Sequence, residues 1–315
     1  MQNIKSVLIF GASGFVGHYL AKEFKSSGYV VFGSDRAKEP TNTNLDGFAS
    51  CDLLDAIRVK QICEEFSPNI LVNLAAVSSV GQSWSIPQET MSVNVNGTLN
   101  ILEAARGMLD TPKILLVGSS EEYSPSLNPL RETDLTDATN PYGISKITQE
   151  RFAELYEAQY DLKIYRTRSF NHTGVGQASN FVIPSWCSQV AAYERKKQDG
   201  ILKVGNVSVK RDMCDVRDIV RAYRLLVESD YCGEVFNVGS GSAKSLEDIA
   251  SIICSYSSYR IKLQVDEDLL RPNDNPYICC DASKINQKIG WSPIYKIEDT
   301  LHDMFLEYVK RINAE

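Results

Sequence analysis

Positive charge is scarce in this sequence of 315 residues. Lys and Arg together number 33 against 40 Asp and Glu, which gives a formal net charge of −7. A protein that binds nucleic acid through the phosphate backbone needs a basic face. The composition therefore predicts no nucleic-acid partner, although a few local arginines could still hold an anionic substrate.

Long apolar runs and metal-ligand spacings are also missing. The apolar run at residues 6–10 is far shorter than the core of a signal peptide, and no stretch reaches the length of a membrane span. The eight cysteines include no CxxC pair and predict neither a metal site nor a disulfide framework. We expect a cytoplasmic protein with reduced thiols and no membrane partner.

What the sequence has instead is an alternation of short apolar segments with longer amphipathic ones. The predicted strands are 7–10, 30–33, 70–74, 114–117 and 163–168, and the predicted helices are 16–26, 57–66, 88–106 and 142–160. This alternation predicts an α/β fold built on a Rossmann-type, doubly wound parallel sheet.

After about residue 171 the pattern loosens. The predicted helices there are 181–196, 216–228, 246–255 and 297–312, and the predicted strands are 201–204 and 234–238. No linker or internal repeat separates the two parts. We expect a Rossmann domain over residues 1–170, which also receives parts of 213–240, and a smaller C-terminal α/β substrate domain over residues 171–315.

A glycine-rich turn follows the first predicted strand and opens the first helix. The turn has the spacing GxxGxxG and contains Gly11, Ser13, Gly14, Phe15, Val16 and Gly17. Glycines here let the backbone turn tightly and approach a pyrophosphate, whose charge the helix N-terminus favours. The turn therefore predicts a dinucleotide cofactor.

The second predicted strand leads to an acidic and a basic residue that bear on the choice of cofactor. Asp35 can accept hydrogen bonds from an adenosine ribose, and its charge would repel a 2′-phosphate. The neighbouring Arg36 could instead bind that phosphate. We favour NAD(H) and keep NADP(H) open.

Two further segments complete the predicted cofactor site. Asp52 and Leu53 lie in a turn where a carboxylate could meet the adenine amino group. Leu74, Ala75 and Ala76 end the next strand, where the backbone must lie close to the cofactor. The four elements in this order are a stronger signal than any one of them.

The catalytic candidates are a phenol and an ammonium group on one helix face. Tyr142 and Lys146 are four residues apart and follow a predicted helix start. A second pair with this spacing, Tyr193 and Lys197, lies in a highly charged stretch and is interpreted as a solvated face. We expect Tyr142 to transfer a proton and Lys146 to lower its pKa from about 10.

A polar cluster at the end of an apolar strand precedes this helix. Ser119 or Ser120 would hold the substrate oxygen, and Glu121 offers a carboxylate beside them. Strand ends of open parallel sheets line the crevice where ligands bind. The cluster therefore belongs with Tyr142 and Lys146 in one predicted site.

These motifs, in this order, resemble the extended short-chain dehydrogenase/reductase family over essentially the whole chain. The resemblance is closest to GDP-4-dehydro-6-deoxy-D-mannose reductases (GDP-D-rhamnose synthases), with GDP-mannose 4,6-dehydratases as near relatives. It rests on residues 118–123, 170–177, 181–182, 210–218 and 271–274. It implies a GDP-sugar substrate, an NAD(P) cofactor and a homodimer formed through helices 88–106 and 142–160.

The resemblance also implies substrate-binding residues. Asn171, Arg211 and Arg271 would hold the diphosphate, and Asp274 stands where a glutamate is usual. The base and ribose would be surrounded by Phe181, Val182, Lys203 and Asn206. Arginine suits phosphate because its planar fork donates two parallel hydrogen bonds.

Four functions are compatible with these residues. The first is reduction of the 4-keto group of GDP-4-dehydro-6-deoxy-D-mannose, or of an analogue such as a 6-deoxy-heptose. The second is 4,6-dehydration with Glu121 as the base, but residues 174–177 lack the arginine typical of those dehydratases. The third is nucleotide-sugar 4-epimerisation, and the fourth, a non-catalytic cofactor sensor, is disfavoured because Tyr142 and Lys146 are both present.

Overall fold

The computed structural model describes residues 5–270 and 275–314, the side chains of 312–314 excepted. The strands in these ranges are β1 (Ser6–Phe10), β2 (Val30–Asp35), β3 (Gly47–Ser50), β4 (Ile70–Asn73), β5 (Lys113–Ser119), β6 (Ile164–Ser169), β7 (Asn171–Thr173), β8 (Gly200–Val204), β9 (Lys210–Asp215), β10 (Val235–Val238), β11 (Ala243–Ser245), β12 (Ile261–Val265) and β13 (Tyr277–Ile278). The helices are α1 (Phe15–Ser26), α2 (Ala56–Phe66), α3 (Val80–Ser85), α4 (Pro87–Met91), α5 (Gly97–Arg106), α6 (Pro141–Tyr160), α7 (Val182–Lys196), α8 (Val216–Glu228), α9 (Leu246–Ser255), α10 (Ser283–Ile289) and α11 (Ile297–Ala314).

Seven of these strands form one parallel sheet. Their order is β3-β2-β1-β4-β5-β6-β10, so the chain starts in the middle and winds outward in both directions. The predicted doubly wound Rossmann-type sheet is confirmed. Because the strands are parallel, the carboxyl ends of β1, β4, β5 and β6 meet at one edge.

Helices cover both faces of this sheet. In β1, Val7 and Ile9 pack under α1 and α8, whereas the alternate residues Leu8 and Phe10 pack under α2, α5 and α6. Successive side chains of a strand point to opposite faces, so a fully covered strand is apolar throughout. This double burial explains why the predicted strands read as continuous apolar runs.

The C-terminal part is smaller and has its own core. Strand β9 pairs with β7, β11 and β13, and β8 pairs with β12. Helices α7, α9 and α11 pack together around buried residues that include Trp186, Ile249 and Phe305. The chain returns to the large sheet at β10, which lies beside β6, while α8 packs against α1. In the part of the chain that the structure describes, no helix is long and apolar enough to cross a membrane.

The predicted helix over residues 88–106 is present and contains a π-helical turn that the sequence did not predict. The chain there forms α4, a π-helical turn over Ser92–Asn96, and α5. The Asn94 amide donates to Ser145 Oγ at 2.8 Å and its oxygen accepts from Val77 N–H at 2.8 Å. Single π turns of this kind interrupt α-helices where a side chain has a specific role. This turn fixes the segment after β4 against α6.

Candidate active site

The glycine-rich turn is pressed against the end of β4. Gly11 has a positive φ of 84°, and a Cβ at this position would lie 2.8 Å from the backbone nitrogen of Ala75. A Cβ on Gly17 would lie 2.4 Å from the Gly11 carbonyl oxygen. Only glycine fits at either place. The N-terminus of α1, with Gly14 as its capping residue and no side-chain cap in the described chain, therefore opens directly onto the sheet edge.

Polar groups around this turn suit a dinucleotide. The Ser13 hydroxyl is buried without a hydrogen-bond partner among the described residues. A buried hydroxyl without a protein partner is free to bond to a ligand oxygen. Asp35 accepts from Ser13 N–H at 3.2 Å and from Arg36 N–H at 2.7 Å. The carboxylate therefore lies at the turn itself, whereas Arg36 is exposed. The residues present fit a nucleotide cofactor.

The other predicted cofactor residues lie at the same edge. Asp52 is exposed and accepts from Leu54 N–H at 2.9 Å. Leu53 is buried, and its carbonyl accepts from the Asn100 amide at 2.7 Å. Residues 74–76 follow β4 directly beside the glycine turn. Phe15 and Val16 begin α1 and pack against the core beneath it.

Three buried side chains meet where β5 ends and α6 begins. Tyr142 lies on the first turn of α6, and Ser119 ends β5 within hydrogen-bonding reach of the Tyr142 phenol. Lys146 Nζ lies 6.0 Å from the centre of the Tyr142 ring. Lys146 donates to the Val117 carbonyl at 2.7 Å and to Gln149 Oε1 at 3.1 Å. The spacing predicted from the sequence therefore corresponds to one compact cluster.

Burial dominates the acid–base properties of this cluster. Burial raises the pKa of Tyr142, and the hydrogen bond from Ser119 opposes that effect. Burial also lowers the pKa of Lys146 to about 8, with Glu122 acting in the opposite direction. In the protein alone the largest influence on the Tyr142 pKa is desolvation, so the lowering expected from Lys146 together with a cationic nicotinamide stays a prediction for the cofactor complex. A phenol that keeps its proton near neutral pH is suited to donate one.

Of the two predicted serines, Ser119 is the one that approaches Tyr142. Its hydroxyl accepts from Glu121 N–H at 3.2 Å, which leaves its own proton for the phenol or a substrate oxygen. Ser120 is buried in the following 3₁₀ turn, Ser120–Glu122. The half-buried Glu121 carboxylate accepts from the Asn140 amide at 2.9 Å. Glu121 thus lies at the site but also ties the turn to the start of α6.

The residues predicted to hold the substrate occupy the C-terminal part. Asn171 pairs with Met213 across β7 and β9, and Arg211 lies two residues earlier on β9. The two are therefore neighbours in one small sheet. Arg271 and Asp274 lie outside the described residues, and β13 pairs with β9 beside Arg211.

The remaining predicted substrate residues lie around α7 and β8. Phe181 caps α7, and Val182, its first residue, is exposed. Lys203 Nζ donates to Asp266 at 3.0 Å, and Asn206 accepts from the Ser208 N–H and hydroxyl at 3.1 and 2.7 Å. Both side chains therefore have partners within the protein.

Sequence reasoning missed two residues that support the catalytic cluster. Gln149 accepts from Lys146 and donates to Val117 O at 3.3 Å. Glu122 is fully buried and accepts from Ser119 N–H at 2.6 Å. The available signal for Glu122 was Ser119-x-x-Glu122, the capping-box pattern, which predicts this backbone contact. No comparable signal marks Gln149.

The dinucleotide-type turn and the Ser–Tyr–Lys cluster at one edge of a parallel sheet define an extended short-chain dehydrogenase/reductase. The family model described as GDP-mannose 4,6 dehydratase matches residues 8–304. The chain is 27% identical to the GDP-6-deoxy-D-mannose reductase of Pseudomonas aeruginosa, over 98% of this chain and 99% of that protein.

Solved structures agree with this assignment. The chain is 25% identical to the P. aeruginosa RMD complexed with NADPH, with a TM-score of 0.84 over 98% of this chain and 99% of that one. The UDP-glucose 4-epimerase of Thermotoga maritima, solved with UDP-glucose, has 25% identity and a TM-score of 0.87 over 98% and 100%. The chain belongs to the GDP-mannose 4,6 dehydratase family and is an NAD(P)-dependent nucleotide-sugar oxidoreductase.

Proposed function

We propose that this enzyme reduces the 4-keto group of a GDP-linked 4-keto-6-deoxy sugar, GDP-4-dehydro-6-deoxy-D-mannose or a close analogue such as a 6-deoxy-heptose. The observation that carries the proposal is the buried cluster of Ser119, Tyr142 and Lys146 beside the glycine turn. Near full-length similarity to a GDP-6-deoxy-D-mannose reductase supports the choice of sugar.

In this proposal each side chain has a separate task. A nicotinamide cofactor held at the glycine turn and Asp35 would supply the hydride for carbon 4. Tyr142, whose pKa burial raises, donates a proton to the carbonyl oxygen. Ser119 holds that oxygen by a hydrogen bond, and the Lys146 ammonium stabilises the phenolate that remains. Phe181, Val182, Asn171 and Arg211 would bind the nucleotide from the C-terminal part.

The second candidate is 4,6-dehydration, which requires a base that removes the proton next to the ketone. Glu121 is favoured for that role by its place beside Ser119. The Glu121 carboxylate, however, accepts from the side-chain amide of Asn140, the residue that caps α6. This carboxylate therefore also stabilises the start of the helix. We therefore rank the reductase first, with 4-epimerisation third.

We propose NAD(H) as the preferred cofactor, with NADP(H) as the alternative. Asp35 accepts from the Ser13 and Arg36 amides, so its charge lies where a ribose 2′-phosphate would have to approach. We also propose that residues 1–170, with parts of 213–240, bind the cofactor, and that the enzyme works as a homodimer. The cytoplasmic location stays a prediction from the sequence.

The test is oxidation of NADH and NADPH, in parallel, by purified protein on GDP-4-dehydro-6-deoxy-D-mannose made in situ. Tyr142→Phe removes the proton donor and keeps the ring, so we expect kcat to fall about 10²- to 10⁴-fold while cofactor still binds. Tyr193→Phe, in the second Tyr–Lys pair, is the matched control: the half-buried Tyr193 ring lies against Gly200, and the variant should keep full activity.

Each outcome assigns a function. Rapid oxidation that Tyr142→Phe abolishes supports the reductase, and the configuration at carbon 4 then identifies the product. Conversion of GDP-mannose to a 4-keto sugar without net cofactor use would instead make the enzyme a dehydratase. A higher kcat/KM with NADPH than with NADH would contradict the proposed role of Asp35.

A further inference from the structure

A buried glutamate lies directly behind the catalytic serine. Glu122 ends the 3₁₀ turn that follows β5, and no part of it reaches solvent. Its Oε1 accepts from Ser119 N–H at 2.6 Å, and a Cβ on Gly118 would lie 2.4 Å from this oxygen. Glycine at 118 therefore makes room for the carboxyl group. The side chain of Glu122 fixes the backbone of Ser119 from inside the protein.

The charges around Glu122 do not balance if every acid is ionised. Arg168 donates to both oxygens of Glu150, at 2.6 and 3.0 Å, which is the bidentate geometry of a strong ion pair. The same guanidinium lies 3.7 Å from Glu122 Oε2 and stacks on the Tyr123 ring at 4.7 Å. The Arg168 guanidinium thus pairs with Glu150, and Glu122 is the carboxyl group left without a hydrogen-bonded cation in the described part of the chain.

The second oxygen of Glu122 accepts no hydrogen bond from the nearby arginine: Arg168 Nε lies 3.7 Å from Oε2 and donates to Glu150 instead. Oε2 is buried without a hydrogen-bond partner among the described residues, yet the Glu150 carboxylate is within hydrogen-bonding reach. Two carboxylates cannot bond to each other, whereas a carboxylic acid donates to a carboxylate. Burial and the neighbouring Glu150 both raise the pKa of Glu122 well above its usual range. A proton on Oε2 satisfies both groups.

The other titratable groups near Glu122 belong to the site. Tyr142 and Lys146 face it from α6, and Glu121 precedes it in the same turn. A negative charge on Glu122 would raise the pKa of both Tyr142 and Lys146. It would therefore oppose formation of the phenolate that proton donation leaves on Tyr142.

We propose that Glu122 is a positioning residue that acts as a neutral carboxylic acid. Oε1 of Glu122 accepts from the Ser119 amide and thereby orients the Ser119 hydroxyl toward Tyr142. Because Glu122 is protonated, it places no negative charge beside the Tyr142 phenol. The proposal rests on the proposed function for its kinetic test and on the fold alone for its second test.

The kinetic test compares Glu122→Gln with Glu122→Ala. An amide oxygen still accepts from Ser119 N–H and carries no charge, so we expect Gln to keep kcat within about threefold. Ala leaves the amide unpaired and Ser119 loose, and we expect kcat to fall about 10- to 100-fold with KM changed less than about threefold. Rescue by Gln, the conservative variant, is the signature that a general loss of packing would not give.

The matched control is Glu157→Ala, which removes a half-buried carboxyl group that pairs with an arginine of β6. Glu157 lies at the other end of α6, 3.2 Å from Arg166. The Glu157→Ala variant should have a lower melting temperature and an unchanged kcat. If Glu122→Gln is as slow as Glu122→Ala, the neutral-acid role is wrong.

The second test needs no substrate. A glutamate whose pKa is raised by folding contributes stability at low pH, and that contribution is lost as pH rises through the folded-state pKa. Gln has no such pH dependence. The melting temperature of Glu122→Gln minus that of the wild type should therefore increase from about pH 5 to about pH 8. A difference that stays constant or decreases would overturn the proposal, whether or not the enzyme reduces the proposed sugar.

Discussion

Lys146 is a buried cation next to Tyr142, the proposed proton donor, and its charge depends on pH in the working range. Burial lowers its pKa to about 8, although Val117 O and Gln149 Oε1 both accept from its ammonium group. Below that pH the ammonium stabilises the phenolate left on Tyr142, and above it the lysine is neutral. We therefore expect kcat/KM for ketone reduction to fall as pH rises through about 8.

The pH profile of Lys146→Arg is the control for this prediction. A guanidinium keeps its charge to much higher pH, so any activity the variant retains should not decline near pH 8. A wild-type kcat/KM that stays constant from about pH 7 to about pH 9.5 would contradict the assignment of the decline near pH 8 to Lys146.

Single residues were predictable where chemistry and spacing coincide. Tyr142 and Lys146 need only helical periodicity to meet, and the sequence contains that information. Glu122 depends on a backbone amide that approaches it only in the folded turn. The direction of the Tyr142 pKa in the protein alone was not predictable, because its largest influence is burial, and burial depends on every element that covers the site.

At the scale of the element, the start of α6 joins the catalytic helix to the serine turn. Asn140 caps the helix by accepting from Gly143 N–H at 2.9 Å, and its amide donates to Glu121 at 2.9 Å. We expect Asn140→Ala to lower the free energy of unfolding by about 1–2 kcal/mol, because it removes the cap and one partner of Glu121. Denaturant unfolding measures the change.

The control at this position is Asn140→Asp. Aspartate caps a helix as well as asparagine does, but it cannot donate to Glu121 and places a like charge beside it. If the cap alone matters, Asp will be as stable as the wild type. If the contact with Glu121 also matters, as the geometry indicates, Asp will lie between the wild type and Ala.

Elements buried on both faces were predictable, and short polar ones were not. The boundaries of strands β1, β4 and β5 were predicted to within two residues, since continuous apolar runs of this length are typical of strands buried on both faces. Strand β9, Lys-Arg-Asp-Met-Cys-Asp, was missed because its charges hide the pattern. Asp212 in this strand is buried and accepts from the amides of Ser240, Gly241 and Cys280, which only the tertiary structure supplies.

For the whole molecule, the large sheet explains how two halves of the chain share one site. The turns proposed to hold the cofactor, and the segment that leads to the proposed proton donor, follow β1, β2, β4 and β5, whose carboxyl ends lie together. The candidate nucleotide residues come from β7, β9 and α7, which begin where β6 leaves the same edge. The order of the motifs in the sequence predicted the cofactor and catalytic residues. That these residues meet the candidate nucleotide residues at one place depends on the order of the strands in the sheet.

Two aliphatic side chains on the surface of α6 are left uncovered by one chain. Ile144 and Leu155 are eleven residues apart, which is three helical turns, and their exposed fractions are 47% and 58%. Exposed apolar side chains on the helix that carries Tyr142 support the proposed homodimer. We expect light scattering to give twice the chain mass at micromolar concentration.

Leu155→Glu places a charge on this exposed surface of α6 and should produce a monomer, because a buried unpaired charge costs several kcal/mol. Leu109→Glu is the matched control, since Leu109 is a fully exposed leucine after α5 and outside α6 itself. A wild-type monomer would exclude the dimer, and a dimeric Leu155→Glu would show that another surface forms it. Since Tyr142 lies on the same helix, loss of the dimer should also reduce kcat more than the Leu109 control does.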